Sequence, residues 1–266
     1  MVGSPTVLIT RHGRTITRSA AGALILAGLL SSSAVPGSRA ADPGTDPAEM
    51  MTVPAGEFLM GSNDPDAADD EKPATRVFVR TFWIDRVEVT NVRYRRCVEG
   101  DACTPPIAGP WADPASAELP VSLVSWAQAS AYCRWVGKRL PTEAEWEKAA
   151  RGTDGRRYPW GDVFEPERAN LGYTAGPLAV GGRSTGQSPY GVLDMAGNVW
   201  EWTSSLYRPY PYDPSDGRED PGGRGARVNR GGSWYYQPWY GRVSYRATAD
   251  HTYRRVADLG FRCARS

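Results

Sequence analysis

The segment RVNRGGSWYYQPWYGRVSYRATA, at positions 227–249, is rich in aromatic and arginine residues around a Gly-Gly pair. It contains no cysteine, no histidine and no carboxylate, and the first acid after it is Asp250. Aromatic faces and fixed cations suit flat, anionic or sugar-like ligands. The segment therefore predicts a binding pocket. The residues expected to supply it are Tyr235, Tyr236, Trp239, Tyr240, Arg242 and Arg246.

Soft metal ligands and nucleophiles are scarce elsewhere too. The chain has four cysteines, and an even count in an exported protein favours two disulfides, for which three pairings exist. Cys97 and Cys103 flank the short segment VEGDA, which leaves Cys133 and Cys263 to close a long loop. The alternative is four buried thiols. If both bridges form, no free thiol remains.

The first forty residues have the pattern of an export signal. Arginines precede an apolar run over 20–35, and the small residues Ser38 and Ala40 mark a cleavage site after Ala40. A retained membrane anchor is the alternative, but the run is shorter than the roughly 20 apolar residues of a spanning helix. We therefore expect cleavage of residues 1–40 and a periplasmic or secreted protein.

The balance of charged residues argues against nucleic acid as a partner. The chain has 31 basic and 30 acidic residues, and removal of a leader with four arginines and no acid shifts the formal charge from +1 to about −3. This balance offers no general attraction to nucleic acid or anionic lipid. We expect no nucleic-acid partner and no membrane span after cleavage. The Pro/Asp-rich stretch 41–49 is predicted to be a linker, and 50–266 a single domain.

Short elements are expected to position the aromatic segment. Hydrophobic alternation predicts strands on either side of Pro54–Gly56 and one strand over RVFVRTFWI. Three short helices are indicated by capping residues and by glycines at their ends. The caps are Thr90, Ser125 with Gln128, and Thr142 with Glu145, and the ends are near Glu99, Gly137 and Gly152. The remainder is rich in glycine, proline and tryptophan, which favours an α+β domain with long loops.

Seven motifs occur in one order: VPAGEFLMGS, VEVTNVRYRRC, PVSLVSWAQASAYCRWVGKRLPTEAEWEKAARG, YPWGD, YGVLDMAGNVWEWT, RVNRGGSW and LGFRCA. Together they resemble the formylglycine-generating enzyme (sulfatase-modifying factor) family, from about Met51 to Arg265. The resemblance implies a modified C-type-lectin-like fold with few regular elements, and it also implies the Cys133–Cys263 bridge. Such enzymes oxidise a sulfatase cysteine to formylglycine with oxygen and copper held by two thiolates.

The resemblance places those two thiolates at Tyr236 and Gly241, and neither is a cysteine. Cu(I) prefers sulfur ligands, so we expect neither copper nor formylglycine generation by the usual mechanism. Relatives that make ergothioneine sulfoxides use iron held by several histidines. After the leader this chain has only His251, which we expect to be a surface loop residue.

The resemblance also suggests which residues line the family's cleft. It gives oxygen-contacting roles to Ser233 and Trp200 and a lining role to Tyr240. With Tyr236 and Arg242 these are the pocket candidates. The alternative is that Trp200 and Ser233 only hold the loops together, because tryptophan is often a core residue.

A calcium site is a further implication of the resemblance. The motif DMAGNVWE would supply the carboxylates of Asp194 and Glu201 and the backbone carbonyls of Gly197 and Val199. Oxygen donors of this kind suit Ca²⁺. A second family site would begin at Asn170–Leu171, but its later acidic ligand has no clear counterpart, so that site is left open.

Three functions follow as hypotheses. The first is an exported binding or scaffold domain for a protein, a glycan or a small aromatic or anionic ligand. The second is a cysteine-independent oxidase of the pyoverdine-maturation type, with Tyr236 or Glu201 transferring protons. The third is sulfatase modification by another route. Of the three hypotheses we favour binding, because the sequence indicates an aromatic pocket and no electron acceptor.

Overall fold

Nine short strands and three short helices are present in the computed structural model, which describes residues 48–249 and 255–266. The strands are β1 (Met50–Val53), β2 (Gly56–Met60), β3 (Thr75–Val79), β4 (Phe82–Asp85), β5 (Trp200–Leu206), β6 (Arg227–Arg230), β7 (Ala247–Ala249), β8 (Leu259–Gly260) and β9 (Ala264–Arg265). The helices are α1 (Asn91–Glu99), α2 (Trp126–Trp135) and α3 (Glu143–Arg151). The α+β class with long loops is confirmed for these residues. The predicted signal, 1–40, and most of the predicted linker lie outside them.

The strands form three sheets. β4 lies between β1 and β9, β2 pairs with β3, and the third sheet has the order β7-β6-β5-β8. All pairs are antiparallel except β5 with β8, which run parallel. This parallel pairing brings the start of β5, at Trp200, beside Leu259 near the C-terminus.

The helix limits follow the predicted caps. The Thr90 hydroxyl accepts from the N–H of Arg93, and both predicted capping boxes form. Gly152 ends α3 with φ 75°, a left-handed conformation that glycine adopts without steric cost. Capping thus fixes the ends of helices that are too short to be stable alone.

One strand prediction is corrected. RVFVRTFWI was expected to be a single strand, but β3 ends at Val79 and β4 begins at Phe82. The two halves bind different partners, since β3 pairs with β2 and β4 pairs with β1. Alternation shows which residues face inward, but it does not show where a chain changes sheet.

Two main clusters of buried apolar residues hold these layers together. One lies between α3 and strands β1 to β4, and includes Trp146 and Phe58. The other joins α1 and α2 to β5 and β8, and includes Trp202 and the Cys133–Cys263 disulfide. Both predicted disulfides are present, Cys97–Cys103 and Cys133–Cys263. In the described parts of the chain, no helix combines the length and apolarity that crossing a bilayer requires.

Candidate functional site

A cavity of about 160 Å³ opens beside the β7-β6-β5-β8 sheet. We call it the aromatic cavity. Its lining residues are Trp200, Asn229, Tyr236, Tyr240, Tyr245, Ala247, Thr248, Val256, Asp258 and Leu259. Three of the five pocket candidates from the sequence, Trp200, Tyr236 and Tyr240, are brought together here.

Every strand of this sheet contributes to the cavity wall. β5 supplies Trp200 and β6 supplies Asn229, while β8 supplies Leu259. β7 supplies Ala247, which lies opposite Asn229 in the antiparallel register, together with its neighbour Thr248. The three tyrosines come from the loop between β6 and β7. A rigid sheet thus forms one side of the cavity and a loop forms the other.

The Gly-Gly pair shapes that loop. Gly231 and Gly232 have φ values of 97° and 75°, which disfavour residues with side chains. A Cβ at Gly232 would lie 3.0 Å from the carbonyl oxygen of Tyr240, so the turn packs closely against the backbone that carries this tyrosine. The glycines therefore allow the loop to fold back and present its aromatic rings to the sheet.

The rings meet at steep angles. The ring centroids of Trp200 and Tyr236 are 5.5 Å apart at 79°, and those of Tyr236 and Tyr240 are 4.9 Å apart at 64°. Tyr240 and Tyr245 are 5.0 Å apart at 74°. Edge-to-face pairs of this kind are favourable beyond their buried area. Burial raises the pKa of Tyr245 to about 12, so this phenol is neutral at physiological pH.

Asp258 is a cavity residue that sequence reasoning missed. Its carboxylate oxygen Oδ2 accepts a hydrogen bond from the Ser233 hydroxyl at 2.8 Å, and its carbonyl accepts from the Trp200 N–H at 2.8 Å. Ser233 is fully buried behind the wall. The available signal was its position directly before LGFRCA, but only the pairing of β5 with β8 brings it to Trp200.

The prediction that Arg242 and Arg246 face a ligand is wrong. The Arg242 guanidinium donates to Glu71 at 2.6 Å, and that of Arg246 donates to Glu143 at 2.6 Å. All four side chains are buried. A guanidinium in a dry interior requires a carboxylate partner, so both arginines turn away from the cavity. They support the loop from behind, since Arg242 also donates to the Trp239 carbonyl.

The outer aromatics of the segment do not line the cavity. Tyr235 and Trp239 are exposed, at 54% and 41% of their surface. Trp239 packs on Tyr240, with ring centroids 4.0 Å apart. His251 lies outside the described residues.

The two positions expected for copper-binding thiols have different surroundings. Tyr236 is in the cavity wall, whereas Gly241 is buried against Leu171 and Ala196. A Cβ at Gly241 would lie 2.4 Å from Cδ1 of Leu171, so a cysteine would fit only if Leu171 moved. All four cysteines of the chain are in disulfides. The chain therefore presents no thiol to this cavity.

The predicted calcium ligands lie in a buried charged cluster. Both carboxylate oxygens of Glu201 accept from Arg262, and one also accepts from the Trp146 indole. Asp194 is instead close to Glu88, whose pKa is raised well above its usual value by burial and next by the Asp194 carboxyl. The oxygen Oε2 of Glu88 is buried and accepts no hydrogen bond from an N–H or hydroxyl donor among the described residues.

The carboxyl groups of Asp194 and Glu88 supply oxygen donors, the type that a hard cation prefers. Because its pKa is raised, the Glu88 carboxyl holds a proton beside Asp194, and a cation bound between the two groups would take the place of that proton. Within the described residues no group of three or more Asp, Glu, His or Cys side chains is placed to hold a metal, so backbone carbonyls would complete the set. Asn170, the start of the second family site, has its side chain bonded to Asn198, Thr174 and the Gly176 carbonyl.

Comparison with known proteins agrees with the family resemblance of the motifs. The profile of the Sulfatase-modifying factor enzyme 1-like domain matches residues 36–266. The inactive Cα-formylglycine-generating enzyme 2 of Mus musculus is 37% identical, over 83% of this chain and 86% of its own. The formylglycine-generating enzyme of Streptomyces coelicolor is 34% identical, over 81% of this chain and 88% of its own.

Solved structures show the same fold. PvdO from Pseudomonas aeruginosa superposes with a TM-score of 0.71 at 28% identity, over 84% of this chain and 96% of its own. CarF superposes with a TM-score of 0.61 at 23% identity, over 82% of this chain and 98% of its own. The fold is therefore that of the formylglycine-generating enzymes, and this chain belongs to the sulfatase-modifying factor family.

Proposed function

We propose that this protein is an exported ligand-binding member of its family and not a copper-dependent formylglycine generator. The aromatic cavity carries the proposal, because it combines apolar ring faces with a few polar groups, as small-molecule sites do. The two disulfides are compatible with export.

The surroundings of the former thiol positions support the negative half of the proposal. A phenol at Tyr236 and a glycine packed on Leu171 supply no sulfur donor for Cu(I). The test is to incubate the purified disulfide-bonded protein with Cu(I), oxygen and a cysteine-containing sulfatase peptide. Mass spectrometry should show no conversion to the aldehyde, while the S. coelicolor enzyme converts the same peptide. Aldehyde formation by this protein would overturn the proposal.

Binding itself is tested by filling the cavity. Ala247→Phe places a ring at the sheet side of the cavity, and Ala112→Phe places one at an exposed position outside it. Fragments found by ligand-observed NMR on the unaltered protein should be lost with Ala247→Phe and retained with Ala112→Phe. Fragments that bind all three proteins equally would show that the cavity is not the binding site.

A second candidate is cysteine-independent oxidation of the pyoverdine-maturation type. Its support is the likeness to PvdO, together with the phenol of Tyr236 in the cavity wall. Oxidation of a phenolic substrate would consume oxygen, whereas binding alone consumes none. Oxygen uptake that disappears with Tyr236→Phe would favour this candidate over simple binding.

We also propose a structural calcium ion in the buried cluster of Asp194 and Glu88. Asp194 and the carbonyls of Gly197 and Val199 remain the predicted ligands, and Glu88 is a further carboxyl group beside Asp194. Both carboxylate oxygens of Glu201 are occupied by hydrogen bonds from Arg262, so Glu201 is not counted as a calcium ligand. Its proposed role is to hold Arg262 in the cluster. Such an ion would fix the turn that leads into Trp200 and would take no part in chemistry.

A further inference from the structure

The charge of the aromatic cavity limits what it can hold. Asp258 is the one formally charged residue among its described lining residues. Arg255, next to the lining residue Val256 along the chain, directs its guanidinium to Gln128 at 3.0 Å. Since the arginines of the loop are paired with buried carboxylates, the formal charge of the described lining is the single negative charge of Asp258.

The aromatic rings of the lining also favour a cation. Aromatic faces carry partial negative charge, and a cation near several faces is attracted by each. Trp200 meets Tyr240 at 85° and Tyr236 at 79°, so the rings do not stack as parallel plates. The four rings of Trp200, Tyr236, Tyr240 and Tyr245 therefore line the cavity in different orientations.

Two polar atoms at the sheet side remain without a partner. They are Oδ1 of Asn229 and the hydroxyl oxygen of Thr248, in the described part of the chain. The Asn229 residue is only 5% exposed. A buried acceptor without a donor is destabilising, so an occupant or water that donates a hydrogen bond is favoured there.

We infer that the aromatic cavity binds a small organic cation, an ammonium group on a compact apolar body, with Asp258 as its counter-charge. The inference rests on the proposed binding function and narrows its ligand class. It replaces the anionic ligand expected from the sequence, because the arginines that suggested an anion are not in the cavity. A volume of about 160 Å³ suits a molecule of a few non-hydrogen atoms.

The test uses pairs of probes that differ in charge and little in shape. Choline is compared with 3,3-dimethylbutan-1-ol and with the anion 3,3-dimethylbutanoate, and propylammonium is compared with propan-1-ol. Binding is measured by calorimetry and by tryptophan fluorescence. A cation should bind about tenfold or more tightly than its neutral partner, and the anion should bind more weakly than both.

Two variants separate charge from packing. Asp258→Asn keeps an oxygen to accept from Ser233 but removes the charge, so it should weaken cation binding about tenfold and leave the alcohols unchanged. Asp213→Asn is the matched control, because Asp213 is exposed and accepts from the Ser215 hydroxyl at 2.6 Å. This control variant should change neither cation binding nor alcohol binding. Thermal unfolding confirms that both variants fold.

Each result decides the inference. Equal binding of cation and alcohol, or tighter binding of the anion, overturns it but leaves the binding function in place. If neither cation binds, the inference fails. The fragment experiment with Ala247→Phe then decides the binding function separately. Preference for a cation that survives Asp258→Asn and Ala247→Phe would place the cation elsewhere and also overturn the inference.

Discussion

The hydroxyl of Ser233 donates a hydrogen bond to the carboxylate of Asp258 at 2.8 Å. This contact joins the Gly-Gly turn after β6 to the residue before β8, two segments that are 25 positions apart. The same Asp258 accepts from the backbone N–H of Trp200. The residue that the family resemblance marks for oxygen contact is here a buried structural donor.

Ser233→Ala should therefore lower stability. A hydrogen bond from a buried hydroxyl to a charged acceptor contributes about 1.5–3 kcal/mol, so we expect a loss of about 2 kcal/mol in the free energy of unfolding. Urea unfolding followed by tryptophan fluorescence measures it. Ser215→Ala, which removes an exposed hydroxyl bonded to Asp213, should cost much less. Equal losses would show that Ser233 does not hold the turn.

Arg242→Met tests the assignment of this arginine to the protein interior. Glu71 is fully buried, and removal of its guanidinium partner leaves a charge without compensation. We expect a loss of about 3–5 kcal/mol in the free energy of unfolding. Arg76→Met, which breaks an exposed pair with Glu57, should cost less than about 1 kcal/mol. Unchanged stability with lost ligand binding would instead support the original expectation that Arg242 contacts a ligand.

Calcium should stabilise the protein if the proposed ion binds. A ligand that binds only the folded state at about 100 times its dissociation constant adds about 2.7 kcal/mol. Differential scanning calorimetry should show a higher Tm with Ca²⁺ and a lower one with EDTA. The effect should disappear with Glu88→Gln and persist with Glu219→Gln, a half-buried glutamate elsewhere in the domain. If Ca²⁺ does not change the Tm of the unaltered protein, the proposal of a calcium ion is wrong.

Glu219 should make stability depend on pH. Burial raises its pKa, although Ser205 and Tyr212 donate to its carboxylate and oppose the rise. The folded state keeps this proton to a higher pH than the unfolded chain does. The protonated Glu219 carboxyl therefore stabilises the folded state at low pH, and this stabilisation is lost as pH rises from about 4.3 through the raised pKa.

Glu219→Gln removes that titration. The free energy of unfolding of the variant, measured in urea at a series of pH values, should fall less steeply over this range than that of the unaltered protein. Glu57→Gln is the control, because Glu57 is an exposed carboxylate. A slope unchanged by Glu219→Gln would mean that this carboxyl titrates normally in the folded state.

Local rules in the sequence predicted the helices well. Thr90, Ser125 and Thr142 cap the three helices as expected, because a cap depends on residues within one turn of each other. The split between β3 and β4 was missed, since the choice of partner strand depends on β1 and β2. Asp258 was missed for the same reason. Its role arises from contacts with residues 25 and more positions away.

Arg242 and Arg246 show most clearly which properties of the site could not be predicted from the sequence. In the sequence, Arg242 and Arg246 stand among tyrosines and suggest an anion site. In the structure they pair with Glu71 and Glu143, which are 171 and 103 positions away. The positive charge of this segment did not predict the charge of the cavity that the segment lines, because buried carboxylates from distant segments neutralise its arginines.

The sequence by itself determined what the chain lacks and what it resembles. Seven motifs in order indicated the family. The residues at the two positions that the resemblance assigns to copper thiolates, Tyr236 and Gly241, are not cysteines, and residue types need no folding to be known. Only the tertiary structure decided what the cavity offers in their place. The strands β5 and β6 and the residue before β8 bring Trp200, Asn229 and Asp258 to the cavity, while buried carboxylates hold the arginines away from it. The charge that a cavity presents depends on that arrangement in space.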